Sequence, residues 1–175
     1  MIVFLGIAVG VLMIGLTAHQ ETAQAFESKI SLQFLAQQFH TPQDLAHFMW
    51  RHFRFEADQS QFGREDYWQS PEELLTRQEG DCEDFALFAH EVLKRMGQAS
   101  LVLNIYGDRF AHSICLFKQN GRYQIFDGAS LISSKAQNLE EIASEIYPFW
   151  KKATIVGSSI ESHEGRILKE LNRQR

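Results

Sequence analysis

The sequence predicts an α+β domain in which helices come first and an antiparallel sheet follows. Three observations predict it. Apolar residues recur at helical spacing as far as Met96. Beyond Gly97 the period falls to two, the repeat of a strand. Asn120-Gly121 stands between two alternating runs, where a tight hairpin needs residues that tolerate positive φ. The 175 residues suit one domain with a full core, and 45% hydrophobic with 22% charged residues is the balance of a folded chain. Fourteen Phe residues supply aromatic filling.

The elements follow in order. Residues 27–39 place Ile30, Phe34 and Leu35 at helical spacing. Thr41-Pro42-Gln43-Asp44 is a helix start, with a hydroxyl cap, a proline in the first turn and an acid three residues on. The helix it opens shows Leu45, Phe48, Met49 and His52 on one face. Residues 54–66 read as a polar connection. Ser70-Pro71-Glu72-Glu73 repeats the start signal for a short helix that Gly80 ends. Asp81 then opens a helix whose Phe85, Phe88, Ala89, Val92, Leu93 and Met96 form an apolar stripe, closed by Gly97. Strands are expected over 99–106, 111–118 and 122–127. A helix over 138–150 follows, marked by Leu139, Ile142, Ala143, Ile146 and Trp150. A short strand over 153–156 ends the domain at about residue 160, and 161–175 read as a polar tail whose candidate element is a helix.

The first 25 residues differ in kind. Ile2 to Leu16 are apolar without a break, and Ala23-Gln24-Ala25 behind them is a small-x-small cleavage pattern, so 1–25 read as an export signal with Phe26 as the new terminus. No Lys or Arg precedes the apolar run. The competing reading is an uncleaved membrane anchor, because a spanning helix needs roughly 17–25 apolar residues. Either reading puts the domain over 26–160 outside the cytoplasm, periplasmic or secreted, with membrane association only through this segment. The net charge of −5 offers no basic stripe, so nucleic acid is not an expected partner. Two cysteines are too few for a disulfide scaffold.

Cys82 falls in the first turn of its helix, where free N–H groups and the dipole favour a thiolate. Asp81, Glu83 and Asp84 oppose it, so the thiol needs a cationic partner, and an imidazolium supplies one. His112, on a strand with Ile114 and Leu116, is the candidate, provided the Cys82 helix packs on that face. Counting out from the Asn120-Gly121 turn sets 114 opposite 127 and 112 opposite 129, which brings Asp127 close to His112 as the carboxylate that orients the ring. Cys115, three residues after His112, alternates to the other face, which argues against a disulfide with Cys82. His40, His47 and His52 match no compact ligand pair on a helix.

Tyr67-Trp68-Gln69-Ser70-Pro71-Glu72-Glu73-Leu74-Leu75, then Gly80-Asp81-Cys82-Glu83-Asp84-Phe85-Ala86, with Ala111-His112 and Phe126-Asp127 downstream, resembles the bacterial transglutaminase-like cysteine peptidases. The match runs from about Thr41 to Ser130. The resemblance implies a papain-like fold, a Cys82-His112-Asp127 triad, and acyl transfer from a peptide or protein amide through a thioester. Water is the expected acceptor; an amine acceptor would make the protein a cross-linking acyltransferase, and loss of chemistry would leave a binding or scaffolding module. The resemblance gives Trp68, and after it Gln78, as candidate side-chain donors to the oxyanion beside the Cys82 N–H. Some family members are periplasmic proteases that need calcium, and Asp81 and Glu83 match their ligand positions. Calcium takes six to eight oxygens, so two acids alone do not define a site, and carboxylates at a helix start also suit the dipole.

Overall fold

The computed structural model describes residues 31–157 and 166–172. The reading of 1–25, and residues 27–30 of the first expected helix, lie outside them. Among the described residues no helix is long and apolar enough to cross a membrane.

Helix α1 (Leu32–Gln38) buries Leu32, Leu35 and Ala36 and leaves Phe34 exposed. Helix α2 (Pro42–His52) starts as its sequence dictates: the Asp44 N–H donates to Thr41 Oγ1 at 3.2 Å and the Thr41 N–H to Asp44 Oδ2 at 2.8 Å. The stretch read as a polar connection contains a short strand β1 (Arg54–Phe55) and one turn of helix α3 (Asp58–Phe62). Helix α4 (Pro71–Arg77) has the same reciprocal cap, here between Ser70 and Glu73. It leads through Gln78, at φ 60°, into β2 (Glu79–Gly80), which pairs in parallel with β1. Helix α5 (Cys82–Arg95) follows at once and is the central helix, with Phe88, Ala89, Val92 and Leu93 fully buried.

The sheet has six strands in the order β6-β5-β4-β3-β7-β8, every neighbouring pair antiparallel. They are β3 (Ser100–Tyr106), β4 (Ala111–Gln119), β5 (Arg122–Asp127), β6 (Ser130–Ser133), β7 (Lys152–Gly157) and β8 (Arg166–Asn172). The expected α+β order is present, and β4 and β5 pair with Cys115 opposite Phe126 and Gln119 opposite Arg122, the register counted from the turn. Helix α6 (Leu139–Ile146) stops short of the expected span, because Tyr147 precedes Pro148 and a residue before proline is pushed out of the helical region. The reading of 161–175 as a tail is corrected: 166–172 form strand β8, paired along β7, with Leu171 buried. An edge strand draws its stability from the backbone ladder and one inward face, so its sequence shows only a weak alternation.

Both faces of the sheet are covered. Val102, Cys115, Phe117 and Phe126 pack against α5, joined by residues of α1, α2 and α4. Leu103, Ile105, Ile114, Leu116 and Ile125 pack on the other side with Ile142 and Ala143 of α6 and the buried Trp150. The expectation that the Cys82 helix meets Ile114 and Leu116 is therefore overturned, and Cys115 lies on the α5 side. The centre of β4 is apolar on both faces, so alternation alone does not say which face meets which helix. Both cysteines are free thiols.

Gly80 fixes how closely β2 approaches α5. A Cβ there would lie 2.6 Å from Asp84 Oδ2 and 2.7 Å from Leu74 Cδ1. Gly80→Ala is expected to cost about 1–3 kcal/mol through overpacking, read as a lower urea midpoint at unchanged slope. An unaltered midpoint would contradict the close approach.

Candidate active site

A cleft of about 330 Å³ opens where β3 ends and β4 begins. Tyr106, Ala111, His112 and Ser113 come from the strand ends, Asp81, Cys82 and Glu83 from the start of α5, and Glu65, Asp66 and Trp68 from the loop before α4. The α5 start is held by one carboxylate. Asp84, 1% exposed, accepts the Gln69 N–H and the Gln69 Nε2–H at 2.7 Å each and the Asp81 N–H at 3.1 Å. Gln69 Nε2 also donates to the Glu79 carbonyl at 2.9 Å. The loop before α4 and the β2–α5 junction thus converge on Asp84, and Trp68, next to Gln69, is carried into the cleft.

His112 and Asp127 form the pair that the strand register predicts: His112 Nε2 lies 2.7 Å from Asp127 Oδ1. With Nε2 engaged, Nδ1 is the nitrogen left for a thiol. The pleat directs His112 to the side of Ile114 and α6, while Cys82 comes from the α5 side, so the two approach the cleft from opposite faces at the end of the sheet. Cys82 and His112 line the same cleft, but the Cys82 Sγ–H donates to Glu83 Oε2 at 3.0 Å, and the described residues include no thiol–imidazole hydrogen bond. Burial first, then the neighbouring Glu83 charge, push the Cys82 thiol far above its ordinary range, with the Ser113 N–H working the other way. Ser113 is itself buried and donates its hydroxyl to Asn104 Oδ1 at 2.8 Å across the strand pair. Trp68 is at the cleft; Gln78 is at the end of α4, outside the residues that line it.

The acids around Cys82 extend beyond the two singled out by sequence. Carboxylate oxygens of Asp58, Asp66 and Glu83 lie within 4.8 Å of one another, and so do those of Asp58, Asp81 and Asp84. Asp58 is 2% exposed; its Oδ2 accepts the Tyr67 N–H, while its Oδ1 and that of Asp81 have no partner. Burial raises the pKa of Asp58, Asp81, Glu83 and Asp84, the last to about 7. Asp58 and Asp66 fall in the stretch read as a polar connection. Their only signal is charge, because the contact with residues 81–84 is made across the fold.

The family described as Transglutaminase-like domain matches residues 26–148. No curated protein matches the chain. Among solved structures, Legionella pneumophila LapG is 18% identical with a TM-score of 0.47, over 71% of this chain and 82% of that one. Calcium-bound LapG from the same organism is 19% identical with a TM-score of 0.44, over 75% of this chain and 91% of that one. A candidate cysteine protease from Cytophaga hutchinsonii is 14% identical with a TM-score of 0.46, over 81% of this chain and 49% of that one. These likenesses are distant.

The buried acids set a pH dependence of stability. A carboxyl whose folded pKa is raised holds its proton where the unfolded chain has released it, so stability falls as pH climbs from the ordinary carboxylate range through about 7, the value reached by Asp84. Without divalent cations, the thermal midpoint is expected to drop between pH 5 and pH 8, and Asp58→Asn to flatten the drop. A midpoint that rises over this interval would contradict the burial of these groups.

Proposed function

We propose, from the premise that the chain belongs to the transglutaminase-like domain family, that it is an exported cysteine hydrolase of peptide or protein amides. The observation that carries this reading is the 2.7 Å bond between His112 and Asp127 at a cleft that also holds Cys82 at a helix N-terminus. Asp127 fixes the ring so that Nδ1 receives the thiol proton. The sulfur attacks the amide carbonyl carbon, and the carbonyl electron pair moves to oxygen. The Cys82 N–H, with Trp68 as the candidate second donor, faces the oxyanion. Collapse breaks the C–N bond, the amine leaves with the proton from His112, and a thioester remains. Water, deprotonated by His112, attacks the thioester carbonyl; the C–S bond breaks, the acyl half leaves as a carboxylic acid, and the Cys82 sulfur recovers the proton from His112.

The thiol must first leave Glu83. The carboxylates of Asp58, Asp66 and Glu83, whose oxygens lie within 4.8 Å of one another with the buried Asp58 Oδ1 unpartnered, fit a hard divalent cation such as calcium. Those three carboxylates would hold it, and its charge would offset their mutual repulsion and that of Asp81 beside them. The Cys82–Glu83 bond also favours a second reading, a transglutaminase-like binding module that performs no chemistry. Export rests on the apolar run Ile2 to Leu16 and on Ala23-Gln24-Ala25.

Digestion of denatured protein in calcium-containing buffer tests the enzyme reading. Cys82→Ala and His112→Ala should each lower the rate by at least about a thousandfold with the thermal midpoint kept. Equal rates in wild type and Cys82→Ala would remove the nucleophile. Mass spectrometry of protein recovered from an exporting host should find Phe26 first; an intact Met1 would favour the anchor.

A further inference from the structure

A row of aromatic rings starts beside His112, at the edge of the cleft and outside the residues that line it. Phe110 lies 5.9 Å from the His112 ring, centroid to centroid, and stacks on Tyr147 at 4.1 Å with 18° between the planes. Tyr147 meets Phe149 edge-on at 6.1 Å, and Phe149 is 73% exposed. Tyr106 and Ala111, which flank residues 107–110, both line the cleft, so the row begins next to the cleft, at His112. The row is also fixed. The Gly107 N–H donates to the Phe110 carbonyl at 2.8 Å, and a Cβ on Gly107 would come within 2.4 Å of the Tyr147 ring. A large ring left in water at the end of such a row buries apolar surface only when something settles on it.

The chemistry says which part of a substrate that is. His112 hands its proton to the departing amine, so the leaving half of the scissile amide passes over the imidazole, and the acyl half lies toward Cys82. The residues that line the cleft include four acids, Glu65, Asp66, Asp81 and Glu83, and no Lys or Arg. We infer that Phe110, Tyr147 and Phe149 form the leaving-group subsite and that it takes a large apolar or aromatic side chain immediately C-terminal to the cleaved bond. This rests on the hydrolase reading. It makes the three rings specificity determinants: they select which bond is cut and take no part in proton transfer. An acidic residue at that substrate position would find no partner for its charge among these rings.

The test is a digest of a proteome-derived peptide library by the full chain in calcium, with every cut site read by mass spectrometry. Phe, Tyr, Trp and Leu should be enriched about fivefold over Gly and Ser directly after the cut, a modest share of what an enclosed apolar pocket discriminates. Phe149→Ser, at an exposed position, should at least halve that enrichment with an unchanged thermal midpoint. Tyr147→Leu, which keeps an apolar surface, should retain preference for Leu and lose it for aromatic residues. Cuts that depend on Cys82 but show no preference at this position would overturn the subsite and leave the hydrolase reading standing. So would a preference that Phe149→Ser leaves intact. No cuts by wild type, with Cys82 inert to alkylation, would overturn both.

Discussion

The candidate site depends on a buried carboxylate that lies outside the Cys82, His112 and Asp127 set. Asp84 is nearly inaccessible and collects three N–H donors, from Gln69 twice and from Asp81 once. Together they tie two stretches, the loop before α4 and the β2–α5 junction, to the first turn of α5. The loop carrying Trp68 is drawn in, β2 is held close enough that only glycine fits at position 80, and the turn bearing Cys82 is set at the end of the sheet. A buried carboxylate left ionised is costly, and hydrogen bonds from backbone amides are what make it tolerable. Here they compensate only in part, since Asp84 remains raised to about 7. The arrangement accepts that cost in stability and gains a fixed geometry, the trade expected where a reacting group has to be held.

The same logic runs through the rest of the acid cluster. Asp58, Asp81 and Glu83 are crowded, partly unpartnered and raised by burial. Glu83 relieves its own position by accepting the Cys82 thiol, which holds the sulfur protonated. Like charges packed at this distance favour either protons or a cation, and both would bear on the thiol next to them. On the far side of the cleft, the His112–Asp127 pair is complete without any such adjustment. The two halves of the candidate site are thus in different conditions: the imidazole is oriented, and the thiol is engaged elsewhere.

Much of this was legible in the sequence because it is local. The caps at Thr41 and Ser70 are four-residue motifs, and the structure has both. The hairpin at Asn120-Gly121 fixed the β4–β5 register, and with it the approach of Asp127 to His112, because one turn type sets the pairing for the whole ladder. The features that escaped are those decided across the fold. Which face of β4 receives α5 is a choice between two apolar surfaces. Asp58 and Asp66 look like any charged loop until residues 81–84 are placed beside them. Strand β8 owes its place to the ladder with β7 more than to its own pattern.

In the proposed function Cys82 works as a thiolate beside His112 once Glu83 lets it go. The most direct measurement is the rate of iodoacetamide labelling of Cys82 in the full chain, followed by peptide mass across pH, with calcium and with a chelator. The account predicts fast labelling well below the free-thiol pKa of about 8.5 in calcium, and slow labelling with the chelator, where the Glu83 bond persists. The same ordinary thiol profile under both conditions would contradict it.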